Sequence, residues 1–434
     1  MKQSTLALFI ACLVAFTLAV APGEGLCRGR GQNPFDRMDG NRDGELSKSE
    51  FRGPDNIFYE MDADGNGYVT RREMREFHQG TSRERPSVSK RQGPYPPLTV
   101  ITCNESKAWH GNVIFVDKNW NRVVEADLKG NIVWECAAPE TKVMHNMRGF
   151  CGAMLTDVEL LPNDNTLILI GGVGVFELDR KGAVVWSYLN ENVSHDADRL
   201  ANGNTIMACG GSEMVSEFPY DDPEAIEVNR DGDIVWEWHA KKEYLDSRYK
   251  NIRSGDAHDW THLNSVQRLK GGNTLLSIRN WNMIIGVDQN GHTVWETGGH
   301  VKKGPRGWPL GSPNCPHTPV MLDNGKIIVS ESMNGRAIEW DPENETIVWK
   351  YPETEWQRGG PYYFVRASHR LPNGNTFIID SKGMFIEVTT QGEIAWKAKV
   401  QGFIESDMPL RKGEINEAPF FNADRRGLGY YGGR

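Results

Sequence analysis

The chain has 434 residues, of which 38% are hydrophobic and 25% are charged, so it can build a packed core and is not a disordered chain. Its formal net charge of −9 argues against nucleic acid as the main partner, because nucleic-acid binding needs a positive surface. Fourteen Trp and 46 Gly favour a turn-rich β protein over a helical one.

The N-terminal segment, residues 1–25, is predicted to be a secretory signal peptide. Lys2 precedes an apolar run from Leu6 to Ala21 that is too short for a stable transmembrane span. We therefore expect a secreted or periplasmic protein without stable membrane insertion. The cysteines beyond this segment permit disulfides, but their spacing fixes no pairing, and buried free thiols are as good an interpretation for Cys136 and Cys209.

Two segments that follow, DGNRDGELSKSE (39–50) and DADGNGYVTRRE (62–73), match the pattern D-x-[DN]-x-[DN]-G-x5-E. Calcium takes about seven oxygen ligands, which this spacing supplies. The predicted ligands are Asp39, Asn41, Asp43, Glu45 (through its carbonyl) and Glu50 in the first loop, and Asp62, Asp64, Asn66, Tyr68 (through its carbonyl) and Glu73 in the second. The loops resemble the EF-hand family. They predict a small α-helical Ca²⁺-binding domain over residues 33–80, with Leu46 and Val69 paired across the loops.

A basic stretch rich in Ser and Pro, residues 81–97, is predicted to be a linker that separates the EF-hand pair from the rest of the chain. Beyond it, six segments of the type DGDIVW end at Trp134, Trp186, Trp236, Trp295, Trp349 and Trp396. Turns of the type LPNGN precede five of them. A period near 50 residues with four strands per unit is typical of β-propeller blades. The fold class is therefore mainly β, a six-bladed propeller over residues 98–403. Residues 404–434 carry no blade pattern and are assigned to a C-terminal tail.

Three histidines lie shortly before the LxNGN turns of successive blades: His195, His262 and His317. Because a propeller chain usually enters each blade on its innermost strand, such residues should line one mouth of the central channel, and we interpret them as sharing one register. In the hairpin of residues 258–279, His262 and Arg279 lie nearly equidistant from Gly271, so they should emerge side by side. His369 is expected to be a structural, mid-strand residue, with Arg366 nearer the mouth.

Imidazoles beside a guanidinium allow two chemical interpretations. Three histidines can bind zinc and activate water. However, an arginine would repel a dication and suits an oxyanion better, so a sulfate or phosphate ester with a neutral histidine as nucleophile is the preferred interpretation.

The segment DWTHLNSVQRLKGGNTLLSIRNWNMIIGVDQNGHTVWE resembles the central part of bacterial arylsulfate sulfotransferases (arylsulfotransferases), which are six-bladed propellers of exported proteins. The resemblance implies transfer of a sulfuryl group from an aryl sulfate to a phenol, independently of PAPS, through a sulfated histidine. It implies His317 as the nucleophile, with His262 and Arg279 stabilising the sulfuryl oxygens and the leaving phenolate. His195 completes the implied site.

Three further residues are expected to contact substrate or to support the site. Asn264 would orient His262, and Trp260 and Trp281 would stack on aryl rings, with blade packing an equal alternative for both tryptophans. No organic cofactor is expected, and the sequence leaves the oligomeric state open.

Two other functions compete with this one. A non-catalytic calcium-binding propeller that binds an extracellular partner or glycan is the first alternative. A quinone-cofactor dehydrogenase propeller, which shares the repeated Trp, ranks lower because it normally needs more blades.

Overall fold

The computed structural model describes the EF-hand region and most of the propeller. The described residues are 35, 38–51, 58–59, 61–78, 98–117, 122–139, 154–210, 223–244, 247, 260–299, 302–303, 309–310, 312–352, 365–380, 383–400 and 423–425. The predicted signal peptide, the linker and most of the tail lie outside these residues, as do Cys27 and Cys151.

The EF-hand region is built around a short two-stranded sheet. Strand β1 (Glu45–Ser47) pairs antiparallel with β2 (Tyr68–Thr70), and Leu46 lies opposite Val69 as predicted. Helix α1 (Arg71–His78) follows directly. Both apolar side chains of the sheet are fully buried in a small core with Phe35 and Phe58, so the two loops form one unit.

Six sheets of four or five strands form the blades, which confirms the predicted six-bladed, mainly β fold. Blade 1 contains β4 (Val113–Asp117), β5 (Arg122–Ala126) and β6 (Ile132–Ala137), and blade 2 contains β7 (Met154–Leu160), β8 (Thr166–Gly171), β9 (Gly174–Leu178) and β10 (Val184–Leu189). Blade 3 contains β11 (Val193–Arg199), β12 (Thr205–Cys209), β13 (Ala225–Val228) and β14 (Ile234–Trp238), followed by helix α2 (Ala240–Tyr244). Blade 4 contains β15 (Leu263–Arg268), β16 (Thr274–Ile278), β17 (Met283–Val287) and β18 (Thr293–Gly298).

A two-stranded hairpin, β19 (Lys302–Lys303) with β20 (Pro309–Leu310), separates blades 4 and 5. Blade 5 contains β21 (Pro316–Met321), β22 (Ile327–Glu331), β23 (Arg336–Asp341) and β24 (Thr346–Tyr351), and blade 6 contains β25 (Val365–Arg370), β26 (Thr376–Asp380), β27 (Met384–Val388) and β28 (Ile394–Val400). Short 3₁₀ turns at Arg279–Trp281 and Ser332–Asn334 join the second and third strands of blades 4 and 5.

Segments distant in sequence complete the two blades at the ring closure. Strand β3 (Leu98–Cys103) pairs with β28 as a fifth, outer strand of blade 6. Strand β29 (Ala423–Arg425) pairs with β4 as the innermost strand of blade 1. The assignment of residues 404–434 to a tail outside the propeller is thus wrong for residues 423–425. The same pairing explains why blade 1 has no LxNGN turn, because its first strand does not come from the preceding residues.

Four of the six repeated Trp residues join their blade to the next through the indole N–H. The indole N–H groups of Trp134, Trp186 and Trp236 donate to the main-chain carbonyls of Arg180, Arg230 and Asp288, each on the following blade, at 3.0 Å. Trp396 of blade 6 donates to the carbonyl of Leu128 in blade 1 at 2.9 Å, so the last blade is fastened to the first in the same way.

The EF-hand unit packs against the outer edge of blade 2. Leu189, the last residue of β10, contacts the EF-hand core, and helix α1 lies against β10. The expectation that the linker keeps the two domains apart is therefore wrong, since part of the EF-hand core is completed by a propeller residue.

Among the described residues, no helix combines the length and apolar character needed to span a membrane. Four cysteines of the described part are free thiols: Cys103, which is exposed, and Cys136, Cys209 and Cys315, which are buried.

Candidate functional site

The first strands of blades 2 to 6 lie around the channel, and each carries an irregularity at the same place. Counting five residues back from the Leu of each LxNGN turn gives Thr156, His195, Asn264, His317 and Arg366. All five are buried, and each lies within or at the edge of a shift in the pairing between the first and second strands. A β-bulge re-aims side chains and is common next to active sites. We call this set the ring positions.

The structure corrects the predicted common register of the three histidines. His195 and His317 occupy ring positions, but His262 lies seven residues before its Leu and precedes β15. Its backbone has φ 48°, a left-handed conformation that is uncommon for a residue other than glycine. Asn264 occupies the ring position of blade 4 instead. His262 therefore reaches the site through an unusual backbone conformation, which no register count could show.

The three imidazoles nevertheless converge. The ring centroid of His195 lies 5.0 Å from that of His262 and 6.1 Å from that of His317. All three side chains are more than 90% buried. Blades 3, 4 and 5 thus each contribute one histidine to a single cluster.

Arg279 lies beside His262, as the hairpin count predicts. Its Nη1 atom lies 3.1 Å from Nδ1 and 2.9 Å from Nε2 of His262, and its backbone N–H donates to the His262 carbonyl at 3.4 Å. A guanidinium nitrogen almost equally close to both ring nitrogens lies across the imidazole rather than in line with one lone pair. The contact therefore places positive charge at the ring without the geometry of a single directed hydrogen bond.

Hydrogen bonds between neighbouring blades hold the strand that carries His317. The side chains of Asn264 and Ser277 in blade 4 donate to the carbonyl of Pro316 at 3.1 and 2.8 Å. On the other side, the hydroxyl of Thr318 donates to the carbonyl of Arg366 in blade 6 at 3.1 Å. The backbone on either side of His317 is thus fixed by both adjacent blades.

Burial and nearby cations keep two of the histidines neutral. Desolvation lowers the pKa of His317 well below 6.5, and the charges of Arg366, Arg279 and His262 lower it further. Desolvation is also the main cause that lowers the pKa of His195, followed by its imidazole neighbours and then by the two arginines. Both side chains are therefore neutral at pH 7, the form in which an imidazole nitrogen is a nucleophile.

His317 differs from an ordinary buried histidine in its hydrogen bonding. Within the described part of the chain, neither ring nitrogen of His317 has a hydrogen-bond partner of normal geometry. The carbonyl of Arg366 faces the ring closely enough to favour its protonated form slightly. Buried polar atoms are usually hydrogen-bonded, so such a ring is typical of a group that binds something else.

The other predicted site residues have different surroundings. Trp260 and Trp281 pack edge to face, with centroids 4.8 Å apart, in the hydrophobic core shared by blades 3 and 4. Trp281 is fully buried, so the structure favours blade packing over stacking on a substrate. The amide of Asn264 donates to the Pro316 carbonyl rather than to His262, so we reassign Asn264 to holding the His317 strand.

Two residues near the site were not among the predicted site residues. Arg366 is 4% exposed and occupies the ring position of blade 6, and its charge lowers the pKa of both His195 and His317. Cys315 is a buried thiol. Desolvation raises its pKa, and the charges of Arg279 and Arg366 partly offset this rise. Counting five residues back from each turn would have identified Arg366 from the sequence.

His369, predicted to be structural, lies inside β25 and is half-buried, with both ring nitrogens shielded from solvent. Burial lowers the pKa of His369 to about 4, with no contribution from the site residues. It is therefore a half-buried, neutral histidine outside the cluster.

The geometry favours an oxyanion over zinc at the histidine cluster. Two cations, Arg279 and Arg366, act on the imidazoles and would repel a dication. Among the described residues, the group of three or more potential ligands whose donor atoms all lie within 4.8 Å of one another is Asp62, Asp64 and Glu73, in the second EF-hand loop.

The two EF-hand loops have matching hydrogen bonds that shape them for a cation. In the first loop, the Asp39 carboxylate accepts from the N–H groups of Asp43 and Gly44, at 3.1 and 3.0 Å. In the second loop, the Asp62 carboxylate accepts from Asn66 and Gly67, at 2.9 and 2.8 Å. These contacts turn each loop around its first ligand.

The last ligand of each loop is held in the same way. The Glu50 carboxylate accepts from the backbone and hydroxyl of Ser47, which lowers the pKa of Glu50. The Glu73 carboxylate accepts from the backbone and hydroxyl of Thr70. The described oxygen donors thus fit Ca²⁺, which prefers carboxylate and carbonyl ligands.

Comparison with known protein families gives two matches. Residues 99–312 match the arylsulfotransferase (ASST) family, and residues 34–53 and 55–78 match EF hands. The first match includes His195, His262 and Arg279 and ends before His317 and Arg366. A search of curated proteins found no match to this chain.

A search of solved structures found similar chains at low sequence identity. A protein of unknown function from Bacteroides caccae has 17% identity over 73% of this chain and 99% of its own, with a TM-score of 0.48. A streptogramin B lyase has 14% identity over 73% of this chain and 87% of its own, with a TM-score of 0.44. A catalytically inactive virginiamycin B lyase from Staphylococcus aureus has 12% identity over 71% of this chain and 89% of its own, with a TM-score of 0.43.

Proposed function

Residues 99–312 are an arylsulfotransferase domain, preceded by EF-hand motifs at residues 34–78, and from this premise we propose that the chain transfers a sulfuryl group from an aryl sulfate to a phenol through His317. The observation that carries the proposal is the state of His317. Its imidazole is buried and neutral, neither ring nitrogen has a hydrogen-bond partner of normal geometry among the described residues, and Arg279 and Arg366 act on it.

In the first step, a ring nitrogen of His317 attacks the sulfur atom of the donor. The new N–S bond forms while the S–O bond to the aryl group breaks, and the electron pair of that bond leaves on the phenolate oxygen. Negative charge develops on the leaving oxygen and is shared by the sulfuryl oxygens. Arg279 supplies a charged hydrogen-bond donor at this place, beside His262.

In the second step, the oxygen of the acceptor phenol attacks the same sulfur atom. The N–S bond breaks, its electron pair returns to His317, and the acceptor loses the proton that the first phenolate gains. His262 and His195 lie within the cluster and are the groups that can carry this proton. The overall exchange needs no other reactant, and it predicts ping-pong kinetics.

The EF-hand pair has a separate role in this proposal. Ca²⁺ bound by the Asp, Asn and Glu ligands of the two loops would stabilise the unit that packs on Leu189 of blade 2. The metal takes no part in sulfuryl transfer. We also propose export of the protein, on the signal-like sequence of residues 1–25.

The test uses the full chain with 4-nitrophenyl sulfate and no acceptor, followed by mass spectrometry of its peptides. The wild-type protein should gain one sulfuryl mass on the peptide containing His317, and His317→Ala should lose both the adduct and turnover. The matched control is His369→Ala, which removes a half-buried, neutral histidine outside the cluster and should keep the adduct.

Two outcomes would count against this mechanism. If the wild-type protein cleaves none of several aryl sulfates, the non-catalytic calcium-binding propeller replaces the proposal. If His317→Ala still cleaves the donor, sulfuryl transfer stands but His317 is not the nucleophile.

A further inference from the structure

The blade that carries His317 lies between two blades that each contribute a buried or half-buried arginine. Arg279 follows β16 in blade 4, and Arg366 lies in β25 of blade 6. His317 lies in β21 of blade 5, which contacts both neighbours. A group bound at the His317 ring is therefore approached by a guanidinium from each side.

The backbone fixes Arg366 close to the nucleophile. Its carbonyl accepts the hydroxyl of Thr318, the residue after His317, at 3.1 Å. Two further contacts join the same parts of blades 5 and 6: the hydroxyl of Ser332 donates to the Val365 carbonyl at 2.9 Å, and the hydroxyls of Ser330 and Ser368 lie 3.0 Å apart. The pairing of β25 with β26 shifts between Val365 and Ala367, so the bulge centres on Arg366.

We propose that Arg366 is a second oxyanion-binding residue, which holds the oxygens of the transferring sulfuryl group on the side of His317 away from Arg279. The inference rests on the proposed sulfuryl transfer and adds a residue that the matched family segment, which ends at residue 312, does not include. Guanidinium groups present paired N–H donors that suit the oxygens of a sulfuryl group. Two of them, one from each flanking blade, neutralise more of the charge on the sulfuryl group than one alone.

Arg366 also sets the ionisation of the nucleophile. The charged or titratable groups that act on His317 are Arg366, Arg279 and His262, and His195 packs beside its ring. Removing one cation should raise the pKa of His317 towards 6.5. Since the neutral ring attacks, activity is lost as pH falls through this pKa. The acid limb of the rate profile should therefore move to higher pH in a variant without the positive charge.

The experiment compares Arg366→Gln, Arg366→Lys and Arg366→Ala in single-turnover formation of the His317 adduct. Loss of one oxyanion donor typically slows such a step by roughly 10²- to 10³-fold, which we expect for Gln and Ala. Lys should keep the charge and the wild-type acid limb but lose part of the rate. Millimolar methylguanidinium should restore part of the rate of Arg366→Ala, which a merely structural role would not allow.

The matched control is Arg370→Gln in the same strand, whose guanidinium is bound to Glu339 at 2.7 Å, away from the ring positions. This variant should form the adduct at the wild-type rate, and its melting temperature measures the cost of losing an arginine from β25. If Arg366→Gln forms the adduct at the wild-type rate, or is slowed only as much as Arg370→Gln, Arg366 has no part in binding the group.

Two donors with different aryl groups show whether Arg366 binds the sulfuryl group or the aryl group of the donor. Arg366→Gln should slow 4-nitrophenyl sulfate and 4-carboxyphenyl sulfate by the same factor, because the sulfuryl group is common to both. A loss confined to the carboxylated donor would overturn the proposal by showing that Arg366 binds the aryl substituent. Absence of any adduct in the wild-type protein would instead reject the proposed function itself.

Discussion

At the residue scale, three histidines of the propeller, His195, His317 and His369, share a low pKa caused first by burial. The three histidines differ in whether neighbouring charges lower the pKa further. Arginine and histidine charges add to desolvation at His195 and His317, whereas desolvation alone acts on His369. The folded protein therefore binds fewer protons than the unfolded chain below the ordinary histidine pKa.

This difference predicts acid sensitivity of folding. The stabilising contribution is fully present above pH 6.5, and it is lost as pH falls from 6.5 towards the lowered pKa of each ring. The lowered pKa of His369, about 4, should by itself reduce the free energy of unfolding by about 2 kcal/mol when the pH falls from 7 to 5. Urea unfolding at both pH values measures this loss.

The control for this prediction is His369→Asn, which should unfold with a smaller pH dependence than the wild-type protein. An unfolding free energy that stays constant from pH 7 to pH 5 would contradict neutral burial of these rings. Turnover should also fall as the pH falls, because protonation of His317 removes the nucleophile. We expect its acid limb below pH 6.5, lower than for an exposed histidine.

The sequence predicts the site residues that depend on hairpin counting. His262 and Arg279 meet because residues equidistant from an antiparallel turn come together. A count from the turns places His262 two residues outside the register of His195 and His317, but it does not predict that His262 still reaches the cluster, since that depends on a left-handed backbone just before β15. The pattern of histidines alone does not point to Arg366, although its distance from the turn equals that of His317.

At the element scale, the sequence predicts the two EF-hand loops and the blade hairpins well, because the interactions that shape them are local. Aspartate, glycine and glutamate at fixed spacings determine each loop, and Leu46 pairs with Val69 as the alternation of the short strands requires. The contact of this unit with Leu189 was not predicted, because one apolar residue at the end of β10 has many possible partners.

Replacing the last ligand of each loop should weaken one calcium site at a time. Glu50→Gln and Glu73→Gln keep the shape of the side chain but remove the charge that Ca²⁺ binds, so each should remove one binding event in calorimetry. Glu76→Gln, which alters an exposed carboxylate of α1 paired with Arg72, is the matched control. Two binding events retained in Glu73→Gln would contradict the assignment.

The same variants report on the contact with blade 2. A ligand that binds the folded state stabilises it by mass action, so Ca²⁺ should raise the melting temperature of the full chain. Leu189→Ser should keep calcium binding while reducing its effect on the melting of the propeller, because the EF-hand core loses its propeller residue. An equal shift in both proteins would show that the packing does not couple the two units.

At the scale of the whole molecule, two independent contacts close the ring of blades. Trp396 donates to the Leu128 carbonyl, and β29 supplies the first strand of blade 1. The indole contact belongs to the repeat and follows from the sequence. Strand β29 does not follow from the sequence. Its three residues pair with Val113, Ile114 and Phe115, but so short a segment shows no periodic pattern that would identify it as a strand.

Two truncations test the closing strand. Removing residues 426–434 keeps β29, whereas removing residues 423–434 deletes it and leaves β4 with an unpaired edge. The longer truncation should melt at a lower temperature and lose activity, because the ring of first strands is opened. Each kcal/mol lost lowers the melting temperature by about 2–4 °C in a domain of 150–250 residues, and by less in a larger one. Equal melting of the two truncations would show that β29 contributes nothing to closure.

The position of β29 in the chain also fixes the order of events during synthesis. Strand β4 leaves the ribosome roughly 300 residues before its inner partner is made. At 5–20 residues per second, that is a delay of about 15 to 60 s. During this time the nascent chain displays an unpaired strand edge, which is a template for pairing with another chain. Until β29 is made and pairs with β4, the nascent chain holds the histidine cluster in an open arc of blades rather than a closed pocket.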